Sequence, residues 1–251
     1  MKINPFSSLL VGCLALAFVP PAARAQAPAV RAHPDASEGE PKKDDGLFLK
    51  RHESFLARAK AGPIGVLFIG DSITDHWRLA PKVWDDYYGK YQPANFGIAG
   101  DTTQNVVWRI ESGELDGIHP RVVVLMIGTN NTASNSAEEI FQADRKIVGL
   151  VLSRIPGTKV LLLAIFPRGP HTKNGHEDNF VQRMEVIKAV NARLATLDDG
   201  ESVRFLDIGP KFLGPDGRIP DAIMADHVHP TVAGFRVWAE AMQPQLEEMM
   251  R

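Results

Sequence analysis

Ser72 stands directly after an apolar run, in Phe68-Ile69-Gly70-Asp71-Ser72-Ile73, where a strand would give way to a helical turn. Such a place presents a hydroxyl at the rim of a sheet and suits a nucleophile. Ser72-Ile73-Thr74-Asp75 also fits a capping box, in which Ser72 would only satisfy free helix amides, so both roles stand. A serine hydroxyl is a weak nucleophile at neutral pH and needs a base, itself held in one tautomer by a third group. Asp226-His227-Val228-His229 can supply both. In a tight turn the carboxylate of Asp226 can accept one ring N–H of His229 while the other nitrogen faces Ser72. The plainer alternative is a surface aspartate that caps the last helix beside a solvated histidine.

Attack on an ester carbonyl also needs donors where negative charge develops, and a backbone amide at a glycine together with an amide side chain can provide them. Gly100 and Asn130 are the candidates; as a turn glycine and a turn or cap residue they would have no chemical role. His171, His176, His227 and His229 invite a metal reading, but no acidic partner has matching spacing, so no metal is expected. Gly97-Ile98-Ala99-Gly100 lacks the GxGxxG fingerprint, and no organic cofactor is expected either. Trp77, Trp84, Trp108 and Trp238 read as core anchors, with Trp77 near enough in sequence to Ser72 to flank an acyl pocket.

The elements that must position these residues are legible from patterning. Five apolar, β-branched runs occur at Ile64–Ile69, Asn95–Ile98, Val122–Ile127, Lys159–Phe166 and Val203–Ile208, each followed by helical periodicity. Ile140, Ala143, Ile147, Leu150 and Val151 share one helix face, as do Phe180, Met184, Ile187 and Val190. An opening helix is expected over Gly46–Lys60 and a closing one from Thr231 to about Met249. Strands apolar throughout and separated by helices mean a parallel sheet covered on both faces, an α/β three-layer sandwich. Loops leaving the carboxyl ends of its strands converge on one crevice. Gly70-Asp71-Ser72-Ile73, Ala99-Gly100-Asp101 and Gly128-Thr129-Asn130-Asn131 are those loops, and the long connection from Pro167 to Asp178 is placed to shape a substrate site.

Gly70-Asp71-Ser72-Ile73, Gly100, Gly128-Thr129-Asn130 and Asp226-x-x-His229 match in order the four blocks of the SGNH (GDSL-type) hydrolases, with Ile73 in place of the usual leucine. Around them, Asn95 to Thr103 and Val123 to Asn131 resemble the catalytic subunits of the intracellular platelet-activating-factor acetylhydrolases. The resemblance runs from about Gly46 to the C-terminus. It implies a flavodoxin-like five-stranded parallel sheet, a triad of Ser72, Asp226 and His229, and an oxyanion hole from the amides of Ser72 and Gly100 with the Asn130 side chain. The implied activity is hydrolysis of short-chain, above all acetyl, esters through an acyl-enzyme, on a small-molecule or carbohydrate substrate. A long-chain lipase or a catalytically silent glycan-binding protein on the same fold are the alternatives. The animal subunits pair, which makes a homodimer an expectation.

Composition narrows the partners. The 251 residues are 44% apolar and 23% charged with a net charge of -2, which is globular and gives no electrostatic footprint for nucleic acid. Lys2, the apolar run Leu9–Val19 and Ala23-Arg24-Ala25 before Gln26 read as a signal peptide over 1–25, too short to span a bilayer, so a secreted or periplasmic protein without stable membrane insertion is expected. Leu10-Val11-Gly12-Cys13 is a weaker lipobox, since the apolar run continues past Cys13. Residues 26–45 carry almost no large apolar side chain and read as a flexible linker ahead of a domain over 46–251.

Overall fold

The five apolar runs become the strands of one parallel sheet in a computed structural model that describes residues 35–44, 46–173 and 176–251 together with Met1. They are β1 (Val66–Gly70), β2 (Pro93–Gly97), β3 (Val122–Met126), β4 (Lys159–Leu163) and β7 (Val203–Leu206), in the spatial order β2-β1-β3-β4-β7. Two short strands, β5 (Thr172–Lys173) and β6 (His176–Glu177), pair antiparallel within the connection after β4, an element the polar sequence there does not announce.

Strand side chains alternate between two cores, each sealed by helices, which is why the central strands β1 and β3 are apolar at every position. Leu67, Ile69, Val123, Leu125, Val160 and Leu162 pack with α1 (Leu47–Lys60), α4 (Thr103–Glu111), α5 (Ala137–Arg154) and α6 (Phe180–Leu194). Val66, Phe68, Val122, Val124, Leu161 and Leu163 pack with α3 (Pro81–Tyr88) and α7 (Val232–Met249). The three-layer sandwich is therefore as expected, with strand ends within three residues of the apolar runs. Trp77 and Trp238 are buried in the second core, Trp77 packing edgewise or tilted among Tyr88, Phe235 and Trp238, whereas Trp84 and Trp108 are only half-buried. Trp77 thus fills the core. Among the described residues no helix is long and apolar enough to cross a membrane.

The expected flexible linker is corrected over its described part. Residues 35–44 lie as a strap across the start of α4: Thr103 Oγ1 donates to Ala36 O (2.8 Å), Asn105 Nδ2 to Glu40 O (2.9 Å), and Lys146 Nζ to Ser37 O (3.0 Å). Ala36 is fully buried. A count of large apolar residues misses this docking, because one small side chain, hydrogen bonds to the strap's carbonyls and the Lys42–Asp101 ion pair hold it. Residues 2–34 and 45, with the expected signal peptide and the rest of the expected linker, lie outside the described residues.

Candidate active site

The chain leaves β1 through Gly70 and Asp71 into α2 (Ser72–Asp75), a single turn laid over the end of β2. Gly97 permits that closeness: a Cβ there would stand 2.3 Å from Asp75 N. The capping reading of Ser72 is answered locally, since Asp71 is the cap, its Oδ1 accepting from Ile73 N at 2.9 Å. The Ser72 hydroxyl is left for another partner. Its Oγ lies 2.8 Å from His229 Nε2, across 157 positions of chain.

His229 is held from its other side. Asp226 Oδ2 lies 2.6 Å from His229 Nδ1, and Asp226 Oδ1 accepts from the backbone N–H of His229 (2.7 Å) and Val228 (3.0 Å). A carboxylate can only accept, so Nδ1 carries the proton, Nε2 is the acceptor in the neutral ring, and the Ser72 hydroxyl donates to it. Burial pushes the Asp226 carboxyl upward, but the His229 ring and these amides outweigh it and hold the group well below the usual carboxylate range. The cap of α7 is Thr231, not Asp226, which removes the plainer reading of Asp226.

The loops after β2 and β3 leave beside the loop after β1, because Gly70 is in register with Gly97 on one side and Met126 on the other. Gly100 adopts a left-handed backbone (φ 78°), which costs glycine little. Asn130 precedes a short 3₁₀ turn without capping it; its Nδ2 donates instead to Asp101 O (2.8 Å). Sequence patterning brought these five residues forward, and the structure places Ser72, His229 and Asp226 in one hydrogen-bonded line with Asn130 tied to the Gly100 loop.

Two histidines beside this line were not singled out for it. His76, one helical turn after Ser72, packs its ring 4.7 Å from that of His229; burial first, then the charge of His229, lowers its pKa. His171 Nδ1 donates to Asp226 O (3.0 Å). The spacing from Ser72 to His76 is helical and was readable, whereas the approach of His171 depends on how the long connection folds back. His227 Nε2 meets Asp221 at 2.9 Å, and Gly169 N donates to His227 O, so the β4 connection and the Asp226 turn are stitched together. Between them lies a cavity of about 940 Å³ lined by Arg168, Pro170, Phe180, Met184, Ile219 and His227 among others. Among the described residues no group of three or more acidic, histidine or cysteine side chains could hold a metal ion.

Asp71 carries an electrostatic load. Burial drives its carboxyl up to about 7, against the lowering effect of the Ile73 N–H and of His229. Near pH 4, about the value of an unfolded aspartate, folded and unfolded chains begin to differ in proton occupancy. From there to about pH 7 the unfolded chain has released this proton and the folded chain retains it, so stability falls as pH rises through the window and levels off above it. Asp71→Asn keeps an oxygen for the Ile73 N–H and removes the titration. Thermal melts should therefore show the variant gaining on the parent from about pH 4 to about pH 8. A melting-temperature difference that is flat with pH would mean that Asp71 ionises as an ordinary carboxyl.

Comparison with known proteins gives the family. The profile of the GDSL-like Lipase/Acylhydrolase family matches residues 68–237. The chain is 34% identical over 206 residues to the alpha1 subunit of platelet-activating factor acetylhydrolase IB from Bos taurus, covering 82% of this chain and 85% of the relative. It is 33% identical over 207 residues to the alpha2 subunit from Rattus norvegicus, at the same coverage. In fold it is similar to a GDSL-like lipase from Bacteroides thetaiotaomicron, with a TM-score of 0.62 at 20% identity over 78% of this chain and 97% of that one. A carbohydrate acetylesterase from Sinorhizobium meliloti gives a TM-score of 0.59 at 20% identity, over 74% and 99%. With Ser72, His229 and Asp226 in one hydrogen-bonded line at the sheet edge, and with this extent of similarity, the chain belongs to the GDSL-like lipase/acylhydrolase family and is a carboxylic ester hydrolase.

Proposed function

We propose that the protein is a serine esterase that removes short acyl groups, acetyl above all, through an acyl-enzyme intermediate. The observation that carries this reading is the hydrogen-bonded line itself, 2.8 Å from Ser72 Oγ to His229 Nε2 and 2.6 Å from His229 Nδ1 to Asp226. Ser72 Oγ attacks the ester carbonyl as His229 takes its proton; His229 then returns that proton to the departing alcohol, and Asp226 stabilises the imidazolium that exists in between. The amides of Ser72 and Gly100 and the Asn130 side chain receive the negative charge of the tetrahedral intermediate. Water, deprotonated by His229, repeats the sequence on the acyl-enzyme and releases the acid.

Acetyl preference is supported by the relatives. The names of the Bos taurus and Sinorhizobium meliloti proteins both specify acetyl-ester hydrolysis. The cavity between the β4 connection and the Asp226 turn includes His227, two residues before His229, in its lining, and it has room for a small-molecule or carbohydrate alcohol. A series of p-nitrophenyl esters on the purified protein is the test: kcat/KM should be highest for acetyl and butyryl and fall for chains of about ten carbons and longer, which need an extended apolar groove to bury them. Preference for the long chains would make the protein a lipase instead. Export, with a mature N-terminus near Gln26, is part of the same proposal and rests on the pattern of residues 1–25; intact-mass measurement of the exported protein tests it.

A further inference from the structure

Asp101, immediately after Gly100, is buried at 0% exposure with its two carboxylate oxygens held by different cations. Lys42 Nζ lies 2.8 Å from Oδ1, and Arg109 Nε lies 3.0 Å from Oδ2. Lys42 comes from the strap, and the same ammonium also donates to Ala99 O at 2.7 Å. It therefore grips the chain on both sides of Gly100, with its Nζ the nearest neighbour that a Cβ on Gly100 would meet, at 3.7 Å. Phe48 closes the other side of the ammonium, its ring centroid 5.5 Å away.

Arg109 extends the grip to the rest of the sheet edge. Its Nη1 donates to Phe96 O (3.0 Å) and pairs with Glu114 (2.6 Å), while Nη2 reaches Gly70 O at 3.5 Å. Glu114 in turn accepts from His52 Nδ1 at 3.0 Å, so the carboxylate that holds the far side of the guanidinium is itself fixed. The backbone of Asp101 has a second duty, since its carbonyl accepts from Asn130 Nδ2 and so sets where that amide points. One ion-paired residue thereby links the loop of Gly100, the side chain of Asn130 and, through Arg109, the strand that delivers Ser72.

We propose that Lys42, with Arg109, is a positioning residue for the oxyanion hole: clamping Asp101 and Ala99 fixes the Gly100 amide and the Asn130 side chain where the developing charge will be. Catalysis by preorganised donors depends on their being in place before the charge appears, and a displacement of about 1 Å can cost on the order of 100-fold in rate. The strap is thus part of the site's support, although Lys42 lies outside the segment 68–237 matched to the family. This inference rests on the reading of Gly100 and Asn130 as oxyanion donors.

Arg109 is wholly buried, and its loss would take one of two partners from both Asp101 and Glu114 inside the core, so Lys42 is the informative position. With p-nitrophenyl acetate, Lys42→Ala should lower kcat by about 10- to 100-fold, keep KM within about twofold and keep the melting temperature within a few degrees. Lys42→Arg, which can still bridge Asp101 and Ala99, should recover most of the loss. Lys146→Ala, which loosens the strap at Ser37 without touching the clamp, should keep parental kcat. Asn130→Ala is measured alongside. If Lys42→Ala keeps kcat while Asn130→Ala loses it, the loop holds its place unaided and the positioning role is wrong although the esterase mechanism stands. If both keep kcat, the oxyanion reading beneath it fails as well. A loss in Lys42→Ala that arginine does not recover, or that Lys146→Ala reproduces, would make the strap a matter of stability and overturn the proposal.

Discussion

Ser72→Ala should lower turnover of a short-chain ester by about 10⁴- to 10⁶-fold, leaving only the residual catalysis that bound donors provide. Without Oγ no acyl-enzyme forms, and His229 has no hydroxyl to deprotonate. The fold should be indifferent to the change. Asp71, not Ser72, caps α2, and Ser72 makes its side-chain hydrogen bond to His229 in the site. The melting temperature should stay within a few degrees, and labelling by a fluorophosphonate should vanish. His229→Ala should fall by a comparable factor. Because nucleophile and base act as a unit, the double variant should be hardly slower than either single one. A folded Ser72→Ala protein within about tenfold of parental turnover would remove Ser72 from the chemistry and with it the acyl-enzyme mechanism.

Asn130→Ala is the second large effect. As a turn residue alone, Asn130 would contribute through its one bond to Asp101 O, a loss of about 1 kcal/mol of stability with turnover untouched. As an oxyanion donor it meets a charge that exists only in the transition state, and its loss should lower kcat by about 100- to 1000-fold, or about 3 to 4 kcal/mol. KM should barely move, because the ground-state carbonyl draws little on the donor. The bond to Asp101 O occupies one N–H of the amide and orients the other, so the two roles are not rivals: the small structural term sets up the large catalytic one. Kinetics and thermal melts on the same sample separate them, and near-parental kcat in a folded variant would take Asn130 out of the site.

The neighbourhood of His229 fits a reaction in which a positive charge appears and disappears on its ring. Asp226 stays ionised well below neutral pH, so its charge is available throughout. His76, packed beside that ring and pushed down by burial and by the charge of His229, is disposed toward its neutral form, which spares the imidazolium a repulsive neighbour.

The strands and their loops were legible because the signal is local. A strand buried on both faces must be apolar at every position, so β1 and β3 announce themselves, and the polar, glycine-bearing residues that follow must lie at their carboxyl ends. Ser72, Gly100, Asn130, Asp226 and His229 could all be named from those loops and from a three-residue spacing. Their alternatives as caps and turn residues could not be dismissed in the same way, since a cap and a nucleophile have the same local sequence.

What the sequence by itself determined, then, is the layered α/β architecture and the set of groups able to do ester chemistry, both of which follow from residue type and short-range periodicity. Tertiary structure alone decided that Asp71 does the capping and frees Ser72, that His229 reaches Ser72 across 157 positions, and that His76 and His171 flank the base. It also decided the fate of residues 35–44. Their composition lacks apolar anchors, yet Ala36 is buried and Lys42 is drawn to a carboxylate that becomes buried only when α4 and the loop after β2 close around it. Periodicity reports which faces are apolar, but a buried ion pair depends on where two distant segments meet, and that meeting is a property of the folded chain.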